Sequence, residues 1–182
     1  MEQISDRASR ARALAVCQRG GPTLEFALVA PMLIALIVGV IYTALIFLAQ
    51  QGLDTAAETA GRLVMTGQAQ SGALTQSQFQ TQACAALPRY LPCAGHLFVD
   101  VQTVSSGNYA DASTSAVTLT YNADGTVGNT FNFSMGARGD LVVVRLMYLL
   151  PMTNGPFGLQ LTNQSDGNRM ITAASVLKTE YY

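Results

Sequence analysis

The chain has 182 residues, 49% of them hydrophobic and only 12% charged, with a formal net charge of −1. That length holds one globular domain plus an anchor, since domains commonly run to about 100–150 residues, and it excludes two large domains. The apolar skew favours a membrane helix over an unusually greasy soluble core. With no basic block beyond residue 19, a nucleic-acid partner has no electrostatic footprint to use.

Residues 1–20 form a short leader with Arg7, Arg10, Arg12 and Arg19 set against Glu2 and Asp6. From Leu24 to Ala49 the only charge is Glu25, at the edge of a run longer than the ~20 apolar residues that cross a bilayer. Beyond the run Asp54 and Glu58 precede Arg62, so the positive-inside rule puts the N-terminus in the cytoplasm and exports the rest. A secretory signal would have a shorter apolar stretch followed by small residues. Here the best small-residue junction, Gly20-Gly21, precedes the stretch. Pro22 suits a helix start, where its missing N–H would lack a partner anyway. Pro31, inside the run, removes a backbone hydrogen bond and clashes with the Ala27 carbonyl, which predicts a kink or local loosening.

The helix is expected to continue past the membrane to about Thr66. Leu53, Ala56, Ala57, Ala60, Leu63 and Val64 recur at three- and four-residue spacing, with Glu58 and Arg62 paired on the opposite side. The Gln-, Ser- and Gly-rich stretch Gly67 to Gly72 ends it. A second helix is predicted from Thr75 to about Leu87, opened by a Thr-x-x-Gln capping box and stopped by Pro88. Cys84 and Cys93 follow at a spacing and in a compartment where two thiols usually oxidise to a disulfide, the alternative being two unpaired buried thiols. Cys17 lies in the leader.

From there the period changes to two. His96 to Thr103 and Ser115 to Tyr121 alternate as half-buried strands, and Asn122-Ala123-Asp124-Gly125 is turn chemistry. Asn129 to Met135 is expected as an edge-like strand. Asp140 to Leu150, rich in valine and broken only by Arg145, fits a central strand. Pro151 to Gly158 reads as a loop, and Arg169 to Tyr182 as a closing strand. The sum is an α+β plan: a long N-terminal transmembrane helix continuing into a domain with an antiparallel sheet of about four strands.

Several signals with chemical potential have plainer explanations. Asp111-Ala-Ser113-Thr-Ser115 matches a D-x-S-x-S metal-adhesion pattern, but no buried strand leads into it, so a polar surface loop is expected. Asn122, Asp124 and Gly125 offer too few oxygens for calcium and suit a hairpin turn. His96, the single histidine, can build neither a histidine-based zinc site nor a catalytic triad and is expected at a strand edge. Asp100, Asp140 and Asp166 are isolated in sequence. The residues therefore point to no metal, no cofactor and no catalysis.

The residues GGPTLEFALVAP at Gly20 to Pro31, with the apolar run behind them, resemble the class III signal of type IV pilin-like proteins. More narrowly they are similar to TadE/TadF-like minor pseudopilins of Flp (tight-adherence, Tad) pilus systems, and the closing Arg169-Met-Ile-Thr-Ala-Ala to Lys178-Thr-Glu-Tyr-Tyr supports this. The resemblance implies a pilin-like fold and cleavage between Gly20 and Gly21 by an aspartic prepilin peptidase at the cytoplasmic face. Glu25 would then be the fifth residue of the mature chain, and Phe26 matches the aromatic that commonly follows it. Pro22 departs from the pattern by standing so near the cut.

The physics of these positions agrees. Glycines on both sides of a bond let the backbone extend into a protease cleft. Glu25 in a first helical turn is favoured by the helix dipole by ~0.3–1 kcal/mol, whereas sinking it deeper costs ~2.5–3.5 kcal/mol unless it meets a cation. The α-amino group freed on Gly21 of a neighbouring subunit is such a cation. The expected organisation is a cleaved leader over 1–20, a transmembrane and assembly helix over 21–50 and a periplasmic α+β domain over 51–182. The protein would sit in the bacterial inner membrane, N-terminus in the cytoplasm, or at the pilus tip or fibre after assembly.

Its implied partners are the prepilin peptidase, other minor pseudopilins, the major Flp pilin, the inner-membrane platform protein and the lipid bilayer. Its role would be initiation, priming or tipping of the pilus, since major pilins of this type are little more than the helix. Two rivals stand beside that reading. One is an uncleaved, membrane-anchored periplasmic binding or scaffolding domain; the other is an anchored hydrolase, which would need a deep polar cleft with convergent titratable groups.

Overall fold

The computed structural model describes residues 21–152 and 158–180. Helix α1 spans Gly21–Met65, 45 residues, close to the expected bounds. Pro31 lies inside it, and the loss of one backbone hydrogen bond there does not end the helix. The described chain falls into two compact units, residues 21–42 with 158–159 and residues 43–152 with 160–180.

In the second unit α1 is amphipathic. Ala49, Gly52, Leu53, Ala56, Ala57, Ala60, Gly61 and Val64 are buried, one stripe at helical spacing. The stripe is built of small residues because backbone approaches its neighbours closely: a Cβ on Gly61 would stand 2.9 Å from Ser175 Oγ and 3.0 Å from Leu177 Cδ2. One on Gly52 would stand 2.7 Å from Pro88 Cγ. Glu58 and Arg62 are exposed on the other side and form no ion pair, as an exposed pair worth only a few tenths of a kcal/mol has little to hold it. After α1, Gly67 takes a left-handed conformation (φ 74°), which only glycine adopts without strain. The Glu180 N–H donates to the Met65 carbonyl at 2.9 Å, so the closing segment caps α1.

The stretch expected only to end the helix also holds a single turn, α2 (Gln68–Ser71). Helix α3 (Gln76–Ala86) carries the predicted capping box: the Gln78 N–H donates to Thr75 Oγ1, and the Thr75 N–H donates to Gln78 Oε1. Its Phe79 and Ala83 face the core. Cys84, on its last turn, is bonded to Cys93.

Three strands follow: β1 (Leu97–Val104), β2 (Leu141–Pro151) and β3 (Asn168–Lys178), antiparallel in the order β1-β2-β3. The register sets Leu97 opposite Tyr148, Val101 opposite Val144, and Val142 opposite Leu177. The face holding Leu97, Val99, Val101, Val144, Leu146, Tyr148, Ile171 and Ala173 joins the stripe of α1 and Phe79 of α3 in one core. Each large aliphatic or Phe side chain among them contributes about 1.5–3 kcal/mol on burial, and the alanines less. On the opposite face Val143, Met147 and Leu149 are also buried, which explains why β2 reads as a continuous apolar run.

The sheet has three strands rather than about four because two expected strands do not form. Residues 115–121 and 129–135 are irregular apart from isolated bridges, Tyr121 with Val127 and Phe133 with Val101. At 115–121 a side chain stands in for part of a ladder, since Asn129 Oδ1 accepts the Thr120 N–H and Asn129 Nδ2 donates to the Thr118 carbonyl, whereas 129–135 reaches the β1 backbone through the Val101 N–H to the Asn132 carbonyl and the Ser134 N–H to the Val101 carbonyl. With those groups satisfied locally, the alternating Thr and Val pattern has no need of a partner strand. The Asn122 to Gly125 turn forms as expected, with the Gly125 N–H donating to the Asn122 carbonyl and Gly125 at φ 80°.

Candidate functional site

Gly21 opens α1 and is exposed, as are Glu25, Phe26 and Pro31. Gly20 and the rest of the leader, Cys17 included, lie outside the described residues. The first turn of α1 holds no acidic residue. Glu25 is the fifth described residue of α1 and is exposed. What the helix offers instead is an apolar surface on every side. Leu24, Phe26, Leu28, Val29, Met32, Leu33, Ile34, Leu36, Ile37, Val40 and Ile41 are all largely exposed. Water would penalise that surface; hydrocarbon or other helices would not.

At the far end of the run exposure gives way to burial between Leu48 and Ala49. Polar groups begin there too. Gln50 Nε2 donates to the Thr172 carbonyl (2.8 Å) and to Asp54 Oδ1 (3.0 Å), and the Tyr90 hydroxyl donates to the Leu48 carbonyl. The Tyr148 hydroxyl donates to the Pro92 carbonyl at 2.8 Å, beside the Cys84–Cys93 bond, and burial pushes its pKa up.

The three carboxylates isolated in sequence all acquire structural roles. Asp100 is buried against Arg145, its cross-strand partner in β2, with Nε at 2.9 Å and Nη2 at 2.6 Å from Oδ2. The Asn132 N–H donates to Asp100 Oδ1 and Arg145 Nη1 donates to the Ser115 carbonyl, so the pair ties the irregular segment to the sheet. In sequence Arg145 read only as the break in a valine-rich run. Asp140 Oδ2 accepts the Ala137 N–H, and Asp166 Oδ1 accepts the Asn168 N–H in a turn completed by Gly167 at φ 82°.

The weighed motifs fall on surface turns. Asp111 closes a three-residue 3-10 turn (Tyr109–Asp111) and is exposed. The Thr126 hydroxyl and N–H hold the exposed Asp124 carboxyl below its ordinary range. Burial first, then the charge of Asp166, push the Tyr121 phenol up. His96 stands one residue before β1, where its carbonyl accepts the Leu149 N–H and its Nδ1 lies 3.0 Å from the Leu149 carbonyl. Among the described residues no three His, Cys, Asp or Glu side chains cluster as a metal would need.

A long apolar helix followed by a small α+β domain is the build of a helix-anchored protein, and the length and hydropathy of α1 are consistent with membrane anchoring. Residues 21–62 match the family model of TadE-like proteins. The chain therefore carries a TadE-like segment, and the match ends inside α1, before the sheet begins. No curated protein and no solved structure matches the chain.

Proposed function

We propose that the protein is a minor pseudopilin that acts in the assembly of a Tad/Flp-type pilus, as a structural subunit and not an enzyme. The observation that carries this reading is the TadE-like match, which starts at Gly21 and runs along a helix exposing apolar side chains all round. In this reading the prepilin peptidase removes residues 1–20 in the cytoplasm by cutting between Gly20 and Gly21. Residues 21–50 then hold the chain in the inner membrane, and residues 51–182 stand in the periplasm. Related pseudopilins, the major pilin and the platform protein are its partners at initiation, priming or the tip.

Glu25 supplies the register. A carboxylate drawn into hydrocarbon costs about 2.5–3.5 kcal/mol, and the α-amino group freed on Gly21 of a neighbour offsets that cost only when the two helices are staggered correctly. Phe26, next to it and exposed, packs against the neighbouring helix.

N-terminal sequencing of the native protein, with and without the peptidase, tests the processing step: Gly21 is the expected first residue with it and Met1 without it. Glu25→Gln should leave cleavage and membrane insertion intact while abolishing incorporation into pili. A full-length chain that still builds fibres would instead favour an uncleaved anchored scaffold.

A further inference from the structure

Where the apolar stretch of α1 ends, a cavity of about 350 Å³ opens between the helix and the start of β3. Ile46, Phe47 and Gln50 line it from the helix, and Leu161, Arg169 and Met170 from the other side. Among the described residues that line it, Arg169 is the one charged group and none is a carboxylate. Its Nη1 donates to the Leu161 carbonyl at 2.8 Å, while its Nε is buried with no hydrogen-bond partner among the described residues. A buried guanidinium N–H without an acceptor is unfavourable, and the planar fork of arginine matches the paired oxygens of a phosphate. The amide nitrogen of Gln50 is already engaged by the Thr172 carbonyl and Asp54 Oδ1. Thr43 and Thr172 also line it, and the remaining lining is apolar: Ile46 is half-buried and Phe47 is exposed.

The level of the cavity along α1 decides what chemistry can reach it. Large apolar side chains are exposed up to Leu48 and burial begins at Ala49, so in an anchored protein the hydrocarbon ends at this turn and the head groups begin. We infer that the cavity holds the phosphate head group of a membrane phospholipid. Arg169 donates to the phosphodiester oxygens, while Ile46, Phe47 and Met170 lie against the glycerol and the first methylenes. This rests on the membrane-anchored reading above. A lipid held here fixes the depth of the helix in the bilayer and ties the start of β3 to it.

Native mass spectrometry of the native protein with its anchor helix, extracted from membranes in a mild detergent, tests the site. The wild type should carry one phospholipid per chain, lose it on delipidation and regain it from added phosphatidylglycerol. Arg169→Gln should weaken that rebinding by about ten-fold or more, and Arg169→Lys by less. Thr43→Trp should fill the cavity from an exposed helix position that also lines it, and block rebinding with the guanidinium intact.

Diacylglycerol, which lacks the phosphate, and inorganic phosphate, which lacks the lipid, should each fail to occupy the site. Rebinding of phosphatidylglycerol unchanged in Arg169→Gln overturns the proposal, as does occupancy by diacylglycerol or by inorganic phosphate alone. If Arg169→Gln fails to fold, as judged by near-ultraviolet circular dichroism, Thr43→Trp decides, and normal rebinding in it overturns the site. Alkaline carbonate extraction separates the two readings: wild type released from membranes overturns the anchor as well, whereas wild type retained with no Arg169-dependent lipid overturns the site alone.

Discussion

Removing the guanidinium of Arg145 should damage this protein more than removing both members of its ion pair. Arg145→Met leaves the Asp100 carboxylate at 2% exposure with one remaining donor, the Asn132 N–H. An uncompensated charge buried in this way costs about 3–5 kcal/mol, a large share of the stability of a small domain. In Asp100→Leu with Arg145→Met both charges are gone. The groups then left without a partner are the Asn132 N–H and the Ser115 carbonyl, both on exposed residues that water can reach. The double variant should therefore lie within about 1–2 kcal/mol of the wild type, about 1–4 kcal/mol more stable than Arg145→Met alone. The chain has no Trp, so unfolding of the full-length protein in detergent micelles is best followed by the near-ultraviolet circular dichroism of its tyrosines. A single variant that costs less than about 1 kcal/mol, or a double variant as unstable as the single, would refute the reasoning. Hydrogen exchange offers a second readout: amides over 115–132 should lose protection in Arg145→Met, because the pair fastens that segment to the sheet.

Gly61→Ala gains about 1 kcal/mol of helix propensity but forces a Cβ to within 2.9 Å of Ser175 Oγ; overpacking of about 1–3 kcal/mol should prevail, and adding Ser175→Gly should restore the melting temperature. Replacing Cys84 and Cys93 by Ala opens a loop of sequence separation 9 and should cost roughly 2.5 kcal/mol in thermal unfolding, with a reductant giving the same loss in the wild type alone. The raised folded-state pKa values of Tyr121 and Tyr148 contribute stability that is fully present below the ordinary tyrosine value near pH 10 and is lost as pH rises through the raised ones. Spectrophotometric titration should show both phenols ionising late, and Asp166→Asn should bring Tyr121 down while leaving Tyr148 unchanged.

Much of the architecture was legible because it depends on local chemistry and period. The apolar run and its continuation at three- and four-residue spacing predicted the C-terminal end of α1 to within a residue. Thr75 and Gln78 predicted the start of α3 because a capping box is satisfied within four residues. The valine run from Leu141 to Leu149 marked a strand buried on both faces, and β2 is the central strand. Period two misled at 115–121 and 129–135. An alternating pattern says which side chains share a face, whereas a strand also needs a partner for its backbone; at 115–121 the Asn129 side chain supplied part of that, and 129–135 met β1 at a single bridge.

The candidate site divides along the same line. Gly21, Glu25 and Phe26 stood out through their order along the chain, and the segment that holds them matches the TadE-like model. Gly52 and Gly61 carried no periodic signal of their own, since a missing side chain matters only when another surface comes within 3 Å of it. What the sequence determined by itself was what is written in neighbouring residues: the anchor, the helix caps, the turns and the apolar faces. Only the tertiary structure decided which distant groups meet, Arg145 with Asp100 across two strands and Arg169 beside the end of the apolar run. Such meetings depend on register and on the closure of long loops, and no local propensity encodes either.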